Sequence, residues 1–161
     1  MPFLADLPAV VQVVIIGLGW FGWSVVCGYV AHRRPAETFD PTRWHYRLRG
    51  WERGGRVYER IGIRRWKDRL PEAGAVFTGG FSKRRLASRD RSYVDRFLAE
   101  TCRAEFAHWT MMALTPIWFV LFDPLVGVLN VLYALGANLP CLIVQRFNRG
   151  RLLRVQARSA A

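Results

Sequence analysis

The sequence has few cysteines, and none of them lie close together. Cys27, Cys102 and Cys141 are widely spaced and form no C-x-x-C motif. This spacing predicts neither a disulfide framework nor a structural zinc site. We interpret all three as packing residues, with Cys141 as an alternative acyl-accepting thiol.

Acidic residues are also scarce, and their shortage is uneven. The chain has 24 Lys and Arg against 12 Asp and Glu, a net charge of +12. Residues 32–103 contain 19 basic and nine acidic side chains, and the tail from Gln145 onward contains five Arg and no acid. In a soluble protein such charge would suggest nucleic acid. Because these segments flank long apolar runs, we predict contact with anionic membrane lipids on the cytoplasmic side and no nucleic-acid partner.

The run from Ala9 to Ala31 lacks charge altogether. Its 23 residues would extend about 34 Å as a helix, enough to cross a hydrocarbon core of about 30 Å. Residues 17–22 match the G-x-G-x-x-G dinucleotide fingerprint. However, Trp20 and Phe21 would crowd a phosphate-binding turn, and no second βαβ unit follows. We therefore predict a membrane span, in which Trp20 and Trp23 are bulky side chains that could face lipid.

A second run, Phe106 to Val144, contains a single formal charge at Asp123. Its 39 residues are too many for one span. Asp123-Pro124 is a turn signal near its middle, which predicts a hairpin of two spans whose ends both lie on the basic side.

These runs predict an all-α integral membrane protein with about three transmembrane helices. The predicted spans are 9–31, 106–122 and 125–144, within one membrane domain that covers residues 1–161. The basic segment 32–105 would be cytoplasmic and carry interfacial helices, and residues 145–161 would form a basic tail. Because the basic cluster follows the first span, we predict a multi-pass protein with its N-terminus outside and its C-terminus cytoplasmic, and no cleaved signal peptide.

The basic segment is predicted to be irregular up to residue 56. Val57, Ile61, Trp66 and Leu70 suggest a short amphipathic helix that ends at Pro71. Residues 73–81 are glycine-rich and predicted to form a loop. A further helix is expected to start at Asp90 or Ser92, since both residue types cap helices well.

This last helix carries polar residues on its predicted buried face. Val94, Leu98, Thr101, Glu105 and His108 are spaced by four, three, four and three, so they share one side. A Glu and a His on such a face near a bilayer need partners or a function.

Three interpretations of Glu105 and His108 remain open. Glu105 could orient His108 as the base that deprotonates a hydroxyl, with Glu100 as a second carboxylate. They could be metal ligands, but helical di-metal sites need two Glu-x-x-His motifs and the chain has one, so no metal is assigned. The third interpretation is an ion pair of Glu105 with Arg103 or Arg146.

The predicted hairpin register places Asn138 at about the depth of His108. Asn138 or Gln145 could therefore donate a hydrogen bond to an oxyanion. An ordinary solvated basic face would look the same as a site for the phosphates of a coenzyme or phospholipid. The basic side chains that could bind such phosphates are Arg64, Arg65, Lys67, Arg69, Lys83, Arg84 and Arg85. The substrate-binding candidates are Arg64, Arg65, Trp66, Lys67, Asp68, Asn138, Gln145, Arg146 and Asn148.

Three stretches together resemble a known family. They read YERIGIRRWKDRLPEAGAVFTGGFSK (58–83), RFLAETCRAEFAHW (96–109) and ALGANLPCLIVQRFNRGRL (134–152). In this order they resemble the membrane acyltransferases of carotenoid glycoside biosynthesis, the glycosyl-4,4'-diaponeurosporenoate acyltransferases. The turn Leu121-Phe122-Asp123-Pro124 departs from the aromatic-Asn-Pro that the family pattern leads us to expect.

The resemblance implies a bacterial cell-membrane enzyme that transfers a fatty acyl group to a sugar hydroxyl of a glycosylated carotenoid. Its partners would be an acyl thioester donor such as acyl-CoA and a glycolipid acceptor, with no cofactor. Two alternatives remain: an acyltransferase acting on another lipid glycoside or polar lipid, and a non-enzymatic adaptor with a lipid-binding basic face. Three spans enclose little volume, so a homo-oligomer is compatible with this architecture.

Overall fold

The computed structural model describes residues 3–70, 88 and 90–159. Most of these residues lie in helices. The α-helices are α1 (Ala9–Arg33), α2 (Ile63–Trp66), α3 (Arg91–Ala113), α4 (Ile117–Leu121) and α5 (Pro124–Ser159). Short 3-10 segments cover Ala36–Thr38, Gly50–Ile61 and Lys67–Arg69. Within the described ranges no residue is in a β-strand, which confirms the all-α fold class.

Two helices, α1 and α5, are long and apolar enough to cross a membrane. They contain the predicted spans 9–31 and 125–144, and α5 continues well beyond the second one. Apolar side chains project from both without covering: Phe21 is 71% exposed in α1, and Leu125 is 70% exposed in α5. Lipid accommodates such surfaces, whereas water does not.

The predicted span 106–122 is not one continuous helix. α3 ends at Ala113, and the Thr115 hydroxyl donates to the Met112 carbonyl at 2.6 Å. Pro116 has no backbone N–H to continue the helical ladder, and the short helix α4 starts after it. The region therefore consists of two pieces, the last residues of α3 and the separate short helix α4.

The turn predicted at Asp123-Pro124 is confirmed. Phe122 is extended, and α5 begins at Pro124, where the missing N–H costs nothing. The Leu4 backbone N–H donates to the Leu121 carbonyl at 2.8 Å, so the start of α1 lies at the turn end of the hairpin. The basic tail is not a separate segment, because α5 continues through it to Ser159.

The expectation that Trp20 faces lipid is wrong. Trp20 is 8% exposed, and its indole Nε1 donates to Asn130 Oδ1 at 2.8 Å. A buried indole N–H needs such an acceptor, and α5 supplies one. Gly19, part of the rejected nucleotide motif, has a packing role: a Cβ there would lie 2.7 Å from the Trp118 ring.

The helix predicted from Val57 to Leu70 is broken. Gly62 adopts φ 64°, a left-handed conformation that suits glycine, and it separates the Gly50–Ile61 segment from α2. Ile61 was expected on the apolar face of this helix, but its side chain is 54% exposed. Because of the break, Ile63 is the residue that is fully buried. α3 begins at Arg91, directly after Asp90 as predicted. The predicted loop at 73–81 lies outside the described residues, as do Lys83, Arg84 and Arg85.

Glycines also bring the basic segment onto α5. Gly54 and Gly55 have positive φ values of 61° and 89°. Their backbone lies so close to Gly150 that any side chain at Gly150 would collide with the Gly54 carbonyl. This contact holds residues 50–58 over the second half of α5, where the polar side chains gather.

Candidate functional site

His108 on α3 pairs with Asn138 on α5. His108 Nδ1 lies 2.8 Å from Asn138 Oδ1, and Asn138 Nδ2 donates to the Ala134 carbonyl at 2.8 Å. With Asn138 oriented this way, Oδ1 is an acceptor, so Nδ1 of His108 must donate. A neutral His108 ring then carries its lone pair on Nε2. The predicted hairpin register is confirmed by this contact.

Glu105 is bound by two arginines from α5. Its Oε1 accepts from Arg146 Nη1 at 2.8 Å, and its Oε2 lies 2.7 Å from Arg149 Nη2. The ion-pair interpretation with Arg146 is therefore confirmed. The role of Glu105 in orienting His108 stays a prediction. The contact at His108 Nδ1 is with Asn138, and the Glu105 carboxylate oxygens contact the two guanidinium groups.

A second carboxylate, Glu52, completes what we call the buried charge network: Glu52, Glu105, Arg146 and Arg149. Arg146 donates two hydrogen bonds to Glu52, from Nε to Oε1 and from Nη2 to Oε2, both at 2.7 Å. Tyr58 donates to Glu52 Oε1 at 2.5 Å. Bidentate Arg–carboxylate pairs are among the strongest charged contacts, and two charges of each sign balance here.

The surroundings of Glu52 favour its ionised form. Burial opposes ionisation, but hydrogen bonds from Arg146, Tyr58 and the Arg49 backbone N–H outweigh it and lower the pKa of the Glu52 carboxyl. Burial and the bond to Glu52 raise the pKa of the Tyr58 hydroxyl, so Tyr58 remains a donor near neutral pH.

Arg149 is completely buried. Its Nη1 donates to the Tyr46 carbonyl at 2.6 Å, and its Nε donates to Thr101 Oγ1 at 3.1 Å. A buried guanidinium is tolerated only with such partners, and these partners join the basic segment, α3 and α5. The role of Arg149 and Glu52 was not predicted. Glu52 sits in an irregular stretch, where no periodicity shows that a residue is buried.

Glu100 lies in a different cluster. Its Oε1 accepts from Arg103 Nε at 3.0 Å, and Arg103 Nη1 donates to the carbonyls of Ala31 at 2.6 Å and Arg34 at 2.9 Å. Arg103 thus satisfies backbone acceptors at the end of α1. The catalytic assignment of Glu100 stays a prediction, and its contact in the fold is with this capping arginine.

A groove lies beside the last turns of α5, with a volume of about 340 Å³. We call it the basic groove, since five of its lining residues are arginines. Its walls are formed by Arg56, Glu59, Arg64, Phe97, Asn148, Arg151, Leu152, Arg154, Val155 and Arg158. Of the predicted substrate-binding residues, Arg64 and Asn148 line it.

The other predicted binding residues are dispersed. Arg65 is exposed, Trp66 Nε1 donates to the Ile61 carbonyl at 3.2 Å, and Lys67 pairs with Asp68. Gln145 is buried between the helices, and its Oε1 has no hydrogen-bond partner among the described residues.

A second cavity, of about 390 Å³, adjoins Glu105. Its rim carries the exposed indoles of Trp44 and Trp109, together with His45 and Arg49. In the part of the chain that the structure describes, no group of three His, Cys, Asp or Glu side chains is placed to hold a metal ion.

Comparison with known proteins relates the chain to one family. The family model described as glycosyl-4,4'-diaponeurosporenoate acyltransferase matches residues 41–158. A protein of that name from Staphylococcus haemolyticus is 31% identical over 121 residues, which cover 74% of this chain and 70% of the relative. One from Staphylococcus aureus strain N315 is 29% identical over 134 residues, with 81% of each chain covered. No solved structure matches the chain.

Proposed function

The chain belongs to the glycosyl-4,4'-diaponeurosporenoate acyltransferase family and is an acyltransferase, and we propose that it moves a fatty acyl group onto a sugar hydroxyl of a glycosylated carotenoid. The acceptor is inferred from the relatives' name. The adaptor alternative loses its basis, because the family is one of enzymes. The observation that carries the mechanism is the His108–Asn138 pair, which places an oriented imidazole where an apolar bundle meets a basic surface.

The proposed reaction needs a base for the acceptor. As the sugar oxygen attacks the thioester carbonyl, Nε2 of His108 takes the hydroxyl proton. Collapse of the tetrahedral intermediate forms the ester and breaks the carbon–sulfur bond, and the proton passes from the imidazolium to the departing thiolate. Asn138 Oδ1 holds the Nδ1–H throughout and stabilises the charged ring. The second N–H of Asn138, or the amide of Gln145, can donate to the oxyanion.

The proposed membrane placement has three passes. α1 and the first part of α5 are two of them, and the end of α3 with α4 forms the third. The Leu4–Leu121 bond supports placing the N-terminus and the hairpin turn on one side, and the charge distribution supports a cytoplasmic location for residues 32–103. A cysteine introduced at residue 85 in a chain whose native cysteines are replaced should react only from the cytoplasm, and one at Asp6 only from outside.

The acceptor is tested by comparing lipid glycosides in one assay. The purified chain, reconstituted in neutral nanodiscs with acyl-CoA, should give a product heavier by one acyl group with a glycosylated carotenoid and little with a glycosyl diacylglycerol. Mass spectrometry of the extracted lipid reads out both. If only the glycosyl diacylglycerol were acylated, the acceptor would be another lipid glycoside and not the glycosylated carotenoid.

A further inference from the structure

The basic groove carries more positive charge than its own contacts neutralise. One carboxylate, Glu59, lies among its described lining residues, and Arg64 already binds it at 2.7 Å. Arg151, Arg154 and Arg158 follow one another at intervals of three and four on α5, so they lie on one side of the helix and repel each other. Such a cluster is stabilised by a bound anion.

The shape of the groove suits a small ligand better than a flat surface. Its volume of about 340 Å³ falls within the usual range for small-molecule sites, roughly 300 to 1,000 Å³. Phe97 and Leu152, both 3% exposed, form an apolar wall, and the nearly buried Asn148 adds an amide. An apolar wall with a few polar groups and a basic rim fits an organic phosphate.

The groove also lies too far along α5 to contact only lipid headgroups. If the hydrocarbon ends near Val144, Arg158 is 14 residues beyond it, about 21 Å along a helix. The headgroup layer on one side of a bilayer is roughly 5 to 8 Å thick. For a helix along the membrane normal, Arg158 therefore extends into water, where it can meet a soluble anion.

We propose that the basic groove binds the phosphate groups of the acyl thioester donor, with Arg151, Arg154 and Arg158 as principal contacts. This rests on the proposed acyl transfer and adds the donor's binding site to it. Asn138 and Arg151 are 13 residues apart on α5, about 20 Å. Acyl-CoA has its thioester and its nucleotide phosphates at opposite ends of a long pantetheine arm, so one donor can reach both positions.

Coenzyme A binding to the full-length chain in neutral nanodiscs tests the site without requiring turnover. The double variant Arg151→Gln, Arg158→Gln should raise the dissociation constant by at least about tenfold, since charged hydrogen bonds to phosphate are strong. Arg33→Gln, Arg43→Gln removes the same charge from exposed positions outside the groove and should leave the constant nearly unchanged. Affinity should also fall with added salt and on replacing coenzyme A with pantetheine, which lacks the phosphates.

Three other results in the binding assays would overturn the assignment. Equal coenzyme A affinity in the groove and control variants would remove the groove as the donor site. Groove-dependent binding of phosphatidylglycerol vesicles without coenzyme A binding would assign it to lipid headgroups. Groove-dependent binding of an acyl carrier protein without coenzyme A binding would assign it to a protein donor. Failure of sugar acylation with intact, groove-dependent coenzyme A binding would count against the acceptor and leave this site standing.

Discussion

Three residues of α5, each eight positions after the last, bury polar groups in different ways. Asn130 accepts from the Trp20 indole, and Asn138 accepts from His108. Arg146 instead binds two carboxylates, Glu52 and Glu105. The apolar part of the bundle thus buries neutral pairs, and the part that carries the basic segment buries full charges.

The difference follows the cost of charge at each depth. An ion within the hydrocarbon is expensive, whereas an amide that bonds its own helix and one neighbour is tolerated. In the more polar part of the fold, charges can be buried when opposite charges surround them. His108 lies between the two regimes. It has a neutral partner like the membrane part and a titratable ring like the charged part, which suits a group that gains and loses a proton.

The largest effect is expected from breaking the charged region. Arg146→Met leaves Glu52 and Glu105 buried without their shared partner, which should cost about 3 to 5 kcal/mol. Thermal unfolding of the detergent-solubilised protein, followed by tryptophan fluorescence, measures it. Arg33→Met, which removes an exposed arginine, should stay within about 0.5 kcal/mol. Equal stability of the two variants would mean that the buried charge network does not hold the basic segment on α5.

A smaller effect should separate the two amides. Asn130→Ala and Asn138→Ala each lose one inter-helix hydrogen bond, worth about 1 kcal/mol of stability. Asn138→Ala should also lower turnover by about 10 to 100-fold, because the His108 ring is no longer held in its orientation. Asn130→Ala should leave turnover near normal. Turnover lost to the same degree in both would make Asn138 a structural residue only.

The smallest effect concerns pH. The pKa of Glu52 is lower in the fold than in the unfolded chain, so its ionised form contributes stability at neutral pH. That contribution should decline once pH falls below the ordinary carboxyl value and be lost as pH passes below the folded pKa. Unfolding of wild-type protein between pH 7 and about pH 3 should therefore be more pH-dependent than that of Glu52→Gln. The exposed Glu37→Gln variant serves as control and should follow wild type.

The sequence predicted features that depend on local pattern. Absence of charge identified α1 and the first part of α5, Asp123-Pro124 identified the turn, and counting back from that turn aligned His108 with Asn138. The sequence did not predict contacts that depend on tertiary packing. Nothing in the pattern around Glu52 indicates that Gly54 and Gly55 press that stretch against Gly150 and bury a carboxylate beside Arg146.

The inner face of α1 shows the same limit. Its residues are nearly all apolar, so periodicity could not distinguish the side that packs against the other helices from the outward side. Trp20 was therefore assigned to the wrong side. The break at Thr115-Pro116 was missed for a related reason, because a hydropathy run continues across a proline that interrupts the helix.

The most direct test of the account is the turnover of His108→Ala with acyl-CoA and a glycosylated carotenoid. Removal of a general base should lower turnover by at least about 100-fold while coenzyme A binding and thermal unfolding change little. His45→Ala, which removes the imidazole at the rim of the second cavity, is the matched control and should retain most activity. A folded His108→Ala protein with full turnover would contradict the proposed mechanism, and loss of turnover in His45→Ala alone would move the base to that cavity.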